Sequence, residues 1–165
     1  MTLTATRPVG IRRPWPVTTA LWLLVFLAAT ALAGGVAMFF GLGGDQMMLP
    51  DEWLLSIPLI DSWMVPSLVL GIGFGLGSFF VAYGLRARPR WRVFAGIERW
   101  TNHHWAWAGT ILIGAGHVLW IALEMIFLPG LSWFHFLYGG VGLALLLLPF
   151  THGMREALRL EPIRA

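Results

Sequence analysis

Four long apolar stretches separated by short polar segments dominate the chain. Residues 17–43 contain no charged side chain, more than the roughly 20 residues a helix needs to cross the hydrocarbon core. Comparable stretches occupy 63–85, 104–128 and 133–152. Pro66 falls in the first turn of the second stretch, where its missing amide donor does little harm. Pro129-Gly130 predicts a tight turn between the third and fourth. The pattern predicts an all-α, integral membrane four-helix bundle, a single domain over residues 1–165. Between the first two spans, Asp45–Asp61 mixes acids with Trp53, Leu54, Leu55, Ile57, Leu59 and Ile60, and this mixture predicts a short interfacial helix starting near Asp51. Ala29-Thr30-Ala31 has the small residues of a signal-peptide cleavage site, but the apolar run continues well past it. A retained first span is therefore expected.

Charge orients these spans. The eleven basic residues are Arg7, Arg12 and Arg13, five arginines within 86–99, and Arg155, Arg159 and Arg164. None lies in either of the other two connections. Because positive residues stay on the cytoplasmic side during insertion, both termini and the central loop are expected to face inward, in a multi-pass protein of the cell (inner) membrane. With 58% hydrophobic and 12% charged residues, a soluble domain is excluded. The formal charge of +3 sits beside the spans, where anionic membrane lipids explain it without nucleic acid. Cysteine is absent, which removes disulfides, thiolate metal sites and cysteine-ligated clusters from consideration.

Lipid supplies no hydrophobic drive for helix association, so small residues mark the close contacts. Ser67, Gly71, Gly75, Ser78 and Ala82 recur at steps of three or four on the second span. They predict a packing groove, on which two copies would also pair as a homo-oligomer or dock a larger membrane partner. Ala29, Ala33 and Ala37 on the first span, and Gly139 and Gly142 on the fourth, are the expected counterparts. The Gly71-x-Gly73-x-Gly75-x-Gly77 run lies inside an apolar span, without the strand or lysine of a phosphate-binding loop, and is not read as one.

Polar chemistry concentrates on the third span. His103, Thr110, His117 and Glu124 follow one another at seven-residue steps, with Trp120 near the same face. At 1.5 Å per residue this stripe is roughly 30 Å long. Ionisable side chains in hydrocarbon usually turn toward a bundle interior or cavity, so Thr110, His117, Trp120 and Glu124 form a candidate polar site. Alternatively, His117 and Thr110 simply hydrogen-bond neighbouring helices. Glu124 lies on the side lacking arginine. Its expected partner is His135, which the short turn brings to a similar depth, with His117 second.

The His103–His117 spacing resembles that within some cytochrome b helices. His135 and His152 do not reproduce it, and no cofactor is expected; a haem held by His152 with His103 or His104 is the alternative. Asp45, Asp51, Glu52, Asp61, Glu124 and His135 share the non-arginine side and raise a cation site, although no tight ligand spacing specifies a metal.

The series Leu49-Pro50-x2-Trp53-Leu54-x3-Pro58-x2-Asp61-x4-Pro66-x3-Leu70, together with Trp120-Ile121-x2-Glu124, resembles small four-span membrane proteins of actinobacteria over residues 18–150. The resemblance implies a four-helix membrane fold without an established activity. It leaves three functional readings: a small accessory or interaction protein; a carrier or sensor of a small hydrophobic or cationic ligand; and a membrane enzyme acting on a lipid or isoprenoid through a His–carboxylate pair.

Overall fold

The computed structural model describes residues 13–42, 57, 58, 60–128 and 130–160. Among them are four helices long and apolar enough to span a membrane, and no β-strand. Most of the segment expected to form an interfacial helix, with Asp45, Asp51 and Glu52, lies outside the described residues.

Helix α1 (Trp15–Phe40) starts after Pro14 with Pro16 in its first turn. It ends at Gly41, whose φ of 61° turns its N–H back onto the Ala37 carbonyl. Helix α2 (Met64–Ala87) is α-helical at both ends, but its middle, Val69–Leu76, is a π-helix. Gly71, Gly73 and Gly75 leave this wider turn free of Cβ crowding. After α2 comes a single 3-10 turn, Arg92–Phe94, and then α3 (Ala95–Thr101). Helix α4 (Trp105–Phe127) is capped by His104, whose ring accepts from the Ala106 N–H. Helix α5 (Trp133–Leu147) is followed by a 3-10 turn, Leu148–Phe150, and α6 (His152–Leu158).

Small residues set the closest helix contacts. A Cβ on Gly35 of α1 would sit 2.7 Å from the Gly71 Cα and 2.9 Å from the Ser67 carbonyl oxygen of α2, so two backbones meet there. Gly75 receives the Leu32 side chain at 2.7 Å by the same measure. The α2 groove is thus filled by α1 of the same chain. Its facing residues are not the expected ones: Ala29 and Ala33 are exposed, whereas Leu24, Leu27, Ala28, Ala31 and Gly35 are buried. Three alanines at four-residue steps fit any helix face. The face that turns inward here is the one carrying Gly35, where backbone can approach backbone.

Helices α4 and α5 close around Gly114, which abuts the Leu145–Leu146 backbone, and Gly142, which abuts Val118 and His117. Gly84 accommodates the Trp105 ring, and Gly109 accommodates Val81, joining α2 to α4. Phe26 of α1 stacks on Tyr138 of α5 with centroids 5.8 Å apart. Trp22, Phe79, Leu112, Ile126, Phe136 and Leu147 point outward. An apolar exterior of this kind suits lipid.

The chain's described arginines gather at one end. Arg13 donates from Nη2 to the Arg86 carbonyl at 2.9 Å, and the His104 N–H donates to the Leu158 carbonyl at 2.8 Å. Trp91 and Phe94 stack on Trp105, at 5.5 and 4.7 Å, pinning the arginine loop to the start of α4.

Candidate functional site

His117, Trp120 and Glu124 occupy positions i, i+3 and i+7 of α4, a spacing that puts them on one face. Here they line a cavity of about 240 Å³, completed by Thr30 and Gly34 of α1, Leu70 of α2 and Tyr138 of α5. His117 is only 2% exposed. Phe74 meets its ring edge-to-face at 5.0 Å, and Tyr138 does so at 5.9 Å. The π-helical stretch carries Leu70 to this wall and Phe74 against the His117 ring. Among the described residues, neither ring nitrogen of His117 has a hydrogen-bond partner. A buried imidazole without partners is costly, because its desolvation is not repaid.

Glu124 sits one turn beyond Trp120, and its Oε1 accepts from the Trp120 Nε1–H at 2.7 Å. The two residues are also part of a second cavity, of about 320 Å³, whose other walls include Met38, Trp63, Pro66, Leu123 and Phe127. That cavity is almost wholly apolar. One of its lining residues, Trp63, has a buried Nε1–H that also lacks a partner among the described residues. The bonded Trp120–Glu124 pair therefore forms a wall common to two cavities, each also lined by a residue that holds a buried polar atom without a partner among the described residues.

The remaining stripe residues are placed elsewhere. Thr110 is fully buried and donates back to the Ala106 carbonyl at 2.8 Å, a local bond within its own helix. His135, the expected partner of Glu124, forms no salt bridge with it within 4.0 Å among the described residues and acts on that carboxyl only electrostatically, from farther away. Its Nδ1 instead accepts the Ser132 N–H at 3.0 Å, completing a capping box at the start of α5. Glu124 takes the nearer indole donor on its own helix. The spacing of Trp120 and Glu124 held a readable signal for this bond, since side chains four residues apart meet on a helix. Trp63 offered none; a tryptophan at a span's edge is ordinary.

His103 and His104 diverge although adjacent. His104 Nε2–H donates to the Pro89 carbonyl at 3.0 Å, which also accepts the Trp105 indole N–H at 2.9 Å. Its Nδ1 accepts from Ala106, so both nitrogens are committed and neither is open to iron. Burial pushes the His104 pKa below its ordinary value, and Arg88 and Arg90 push the same way against the opposing Pro89 hydrogen bond and Glu98 carboxylate. A second proton would confront the Ala106 N–H. His103 faces a polar cleft shared with His152. Among the described residues no group of three His, Cys, Asp or Glu converges as a metal centre, Asp61, Glu124 and His135 included.

No protein-family model, no curated protein and no solved structure matches this chain.

Proposed function

We propose that the protein is a membrane-embedded carrier or sensor that binds a small apolar ligand bearing hydrogen-bonding groups, at the paired cavities along α4. The observation that carries this reading is the buried His117, a lining residue of a cavity it shares with Glu124, with both ring nitrogens unpartnered among the described residues. A neutral imidazole offers one donor and one acceptor. A ligand carrying a hydroxyl or carbonyl satisfies it, while the second cavity accommodates an apolar portion and offers the Trp63 indole N–H. Binding sites for small molecules have this form: mostly apolar walls with a few converging polar groups.

The same reading takes the chain as a four-helix bundle in the cell membrane with both termini cytoplasmic. The arginines at one end support that orientation. A periplasm-active reporter fused after Leu55 or Pro129 should be active, and one fused after Arg92 or Ala165 inactive; the reverse pattern refutes it. Association with another copy or a larger partner draws less support, because α1 occupies the small-residue groove of α2.

Gentle extraction followed by mass spectrometry of retained small molecules tests the binding function. Wild-type protein should retain one apolar species at a fixed ratio, and H117F and E124Q should lose it. Retention unchanged in both variants contradicts the proposal.

A further inference from the structure

A second site lies at the arginine-bearing end, away from the paired cavities. There a polar cleft of about 350 Å³ opens between the turn preceding α4 and helix α6, lined by Asn102, His103, His152, Arg155, Glu156 and Arg159. Its walls are tied together. The His104 N–H donates to the Leu158 carbonyl at 2.8 Å, and the Leu160 N–H donates to the Asn102 carbonyl at 3.0 Å. Asn102 has a φ of 55°, the left-handed conformation that ends α3 and turns the chain into the cleft wall.

Charge and polarity define what fits. Arg155 and Arg159 are four residues apart, and Glu156 lies 3.8 Å from the Arg159 guanidinium. One carboxylate against two guanidinium groups leaves the cleft positive before either histidine is counted. Behind His103 lies an aromatic cluster. His103 donates from Nδ1 to the Thr101 carbonyl at 2.6 Å and stacks on Trp107 at 4.6 Å. Trp107 donates its indole N–H to the Pro149 carbonyl at 2.7 Å and meets Phe150 edge-on at 5.8 Å. Phe150 itself is exposed toward the apolar exterior. The cleft thus presents a cationic mouth that connects, through His103 and Trp107, to the exposed Phe150.

We infer that this cleft binds a phosphate ester, with Arg155 and Arg159 pairing the phosphate oxygens and His152 as a further hydrogen-bonding group. Guanidinium forks match phosphate geometry, and basic pockets between membrane helices hold anionic headgroups. Phe150 gives acyl chains a route from the cleft into the bilayer, which favours a lipid headgroup over a soluble phosphate.

Delipidated full-length protein, titrated with phosphatidylglycerol, phosphatidylcholine or inorganic phosphate and read by native mass spectrometry and thermal shift, tests the assignment. Phosphatidylglycerol should bind and stabilise, phosphatidylcholine should not, and R155Q/R159Q should weaken binding roughly tenfold or more. R88Q/R90Q removes equal charge from the same end outside the cleft and should leave affinity near wild type. E156Q should tighten binding, which keeps the inference testable if the double variant fails to fold. Arg155- and Arg159-dependent binding of inorganic phosphate without phosphatidylglycerol would assign the site to a soluble phosphate and overturn the lipid source. Equal weakening by both arginine pairs, equal binding of phosphatidylcholine, or an E156Q affinity no higher than wild type would overturn the site itself.

Discussion

Replacing His117 with phenylalanine should make the ligand-free protein more stable while abolishing its function. The substitution removes two buried nitrogens that have no hydrogen-bond partner, yet it retains an aromatic ring for the edge-to-face contacts with Phe74 and Tyr138. Its added volume has somewhere to go, because the ring borders a cavity of about 240 Å³. Relieving a buried unsatisfied polar group is worth about 1–3 kcal/mol. For a chain of this size that corresponds to a rise in Tm of roughly 2–12 °C. Thermal unfolding of extensively delipidated protein in detergent, followed by tryptophan fluorescence, measures it. H117L, which cannot overfill the site, serves as a companion. A lower Tm in both variants would show that the imidazole is satisfied in the resting protein, and the reasoning from its unpaired nitrogens would fail. A gain in stability at the expense of binding is the usual signature of a functional polar group in a core.

Other perturbations probe the frame around the site. G35A places a methyl group 2.7 Å from the Gly71 backbone and should cost about 1–3 kcal/mol, whereas G140A, with no atom within 4 Å of its new Cβ, should be neutral or slightly stabilising; urea or SDS unfolding distinguishes them. W120F should cost about 1 kcal/mol and be non-additive with E124Q, reflecting their 2.7 Å hydrogen bond. E124Q with H135Q should couple by no more than about 0.5 kcal/mol, because the two side chains share no salt bridge and interact only at longer range. The depressed pKa of His104 makes stability greatest above its ordinary value of 6.5 and causes it to decline as pH falls through that value toward the folded-state pKa. H104N keeps a helix-capping acceptor and should remove this decline from the melting profile; an unchanged profile would assign the pH dependence to another group.

The four spans were legible because length and the absence of charge suffice to identify a helix that must satisfy its own backbone in lipid. The α2 groove was legible for a similar reason, since Ser67, Gly71, Gly75, Ser78 and Ala82 offer so little side chain. What filled the groove was not. That depended on Gly35, whose position faces Gly71 only after two helices have docked. The π-helical stretch belongs to the same class of feature. Its glycines permit the wide turn, but the packing that places Leu70 and Phe74 beside α4 is tertiary. At the site, the seven-residue stripe identified His117 and Glu124 together with Trp120. Counting charges along the chain led to His135, because arginines were absent on that side. The neutral indole of Trp120 supplied the hydrogen bond instead, and the turn at Ser132 had its own use for the His135 ring.

Observing the His117 ring itself tests the central claim most directly. The chain has five histidines, so nitrogen NMR of histidine-labelled protein in lipid nanodiscs can assign His117 from the signals missing in H117F. The account predicts that a fraction of the native membrane's small apolar molecules shifts those ring-nitrogen signals, leaves the other four histidines in place, and loses this effect in E124Q. Ring signals that no fraction moves, in protein whose five histidine signals are all resolved, would contradict a ligand-binding role for the cavity.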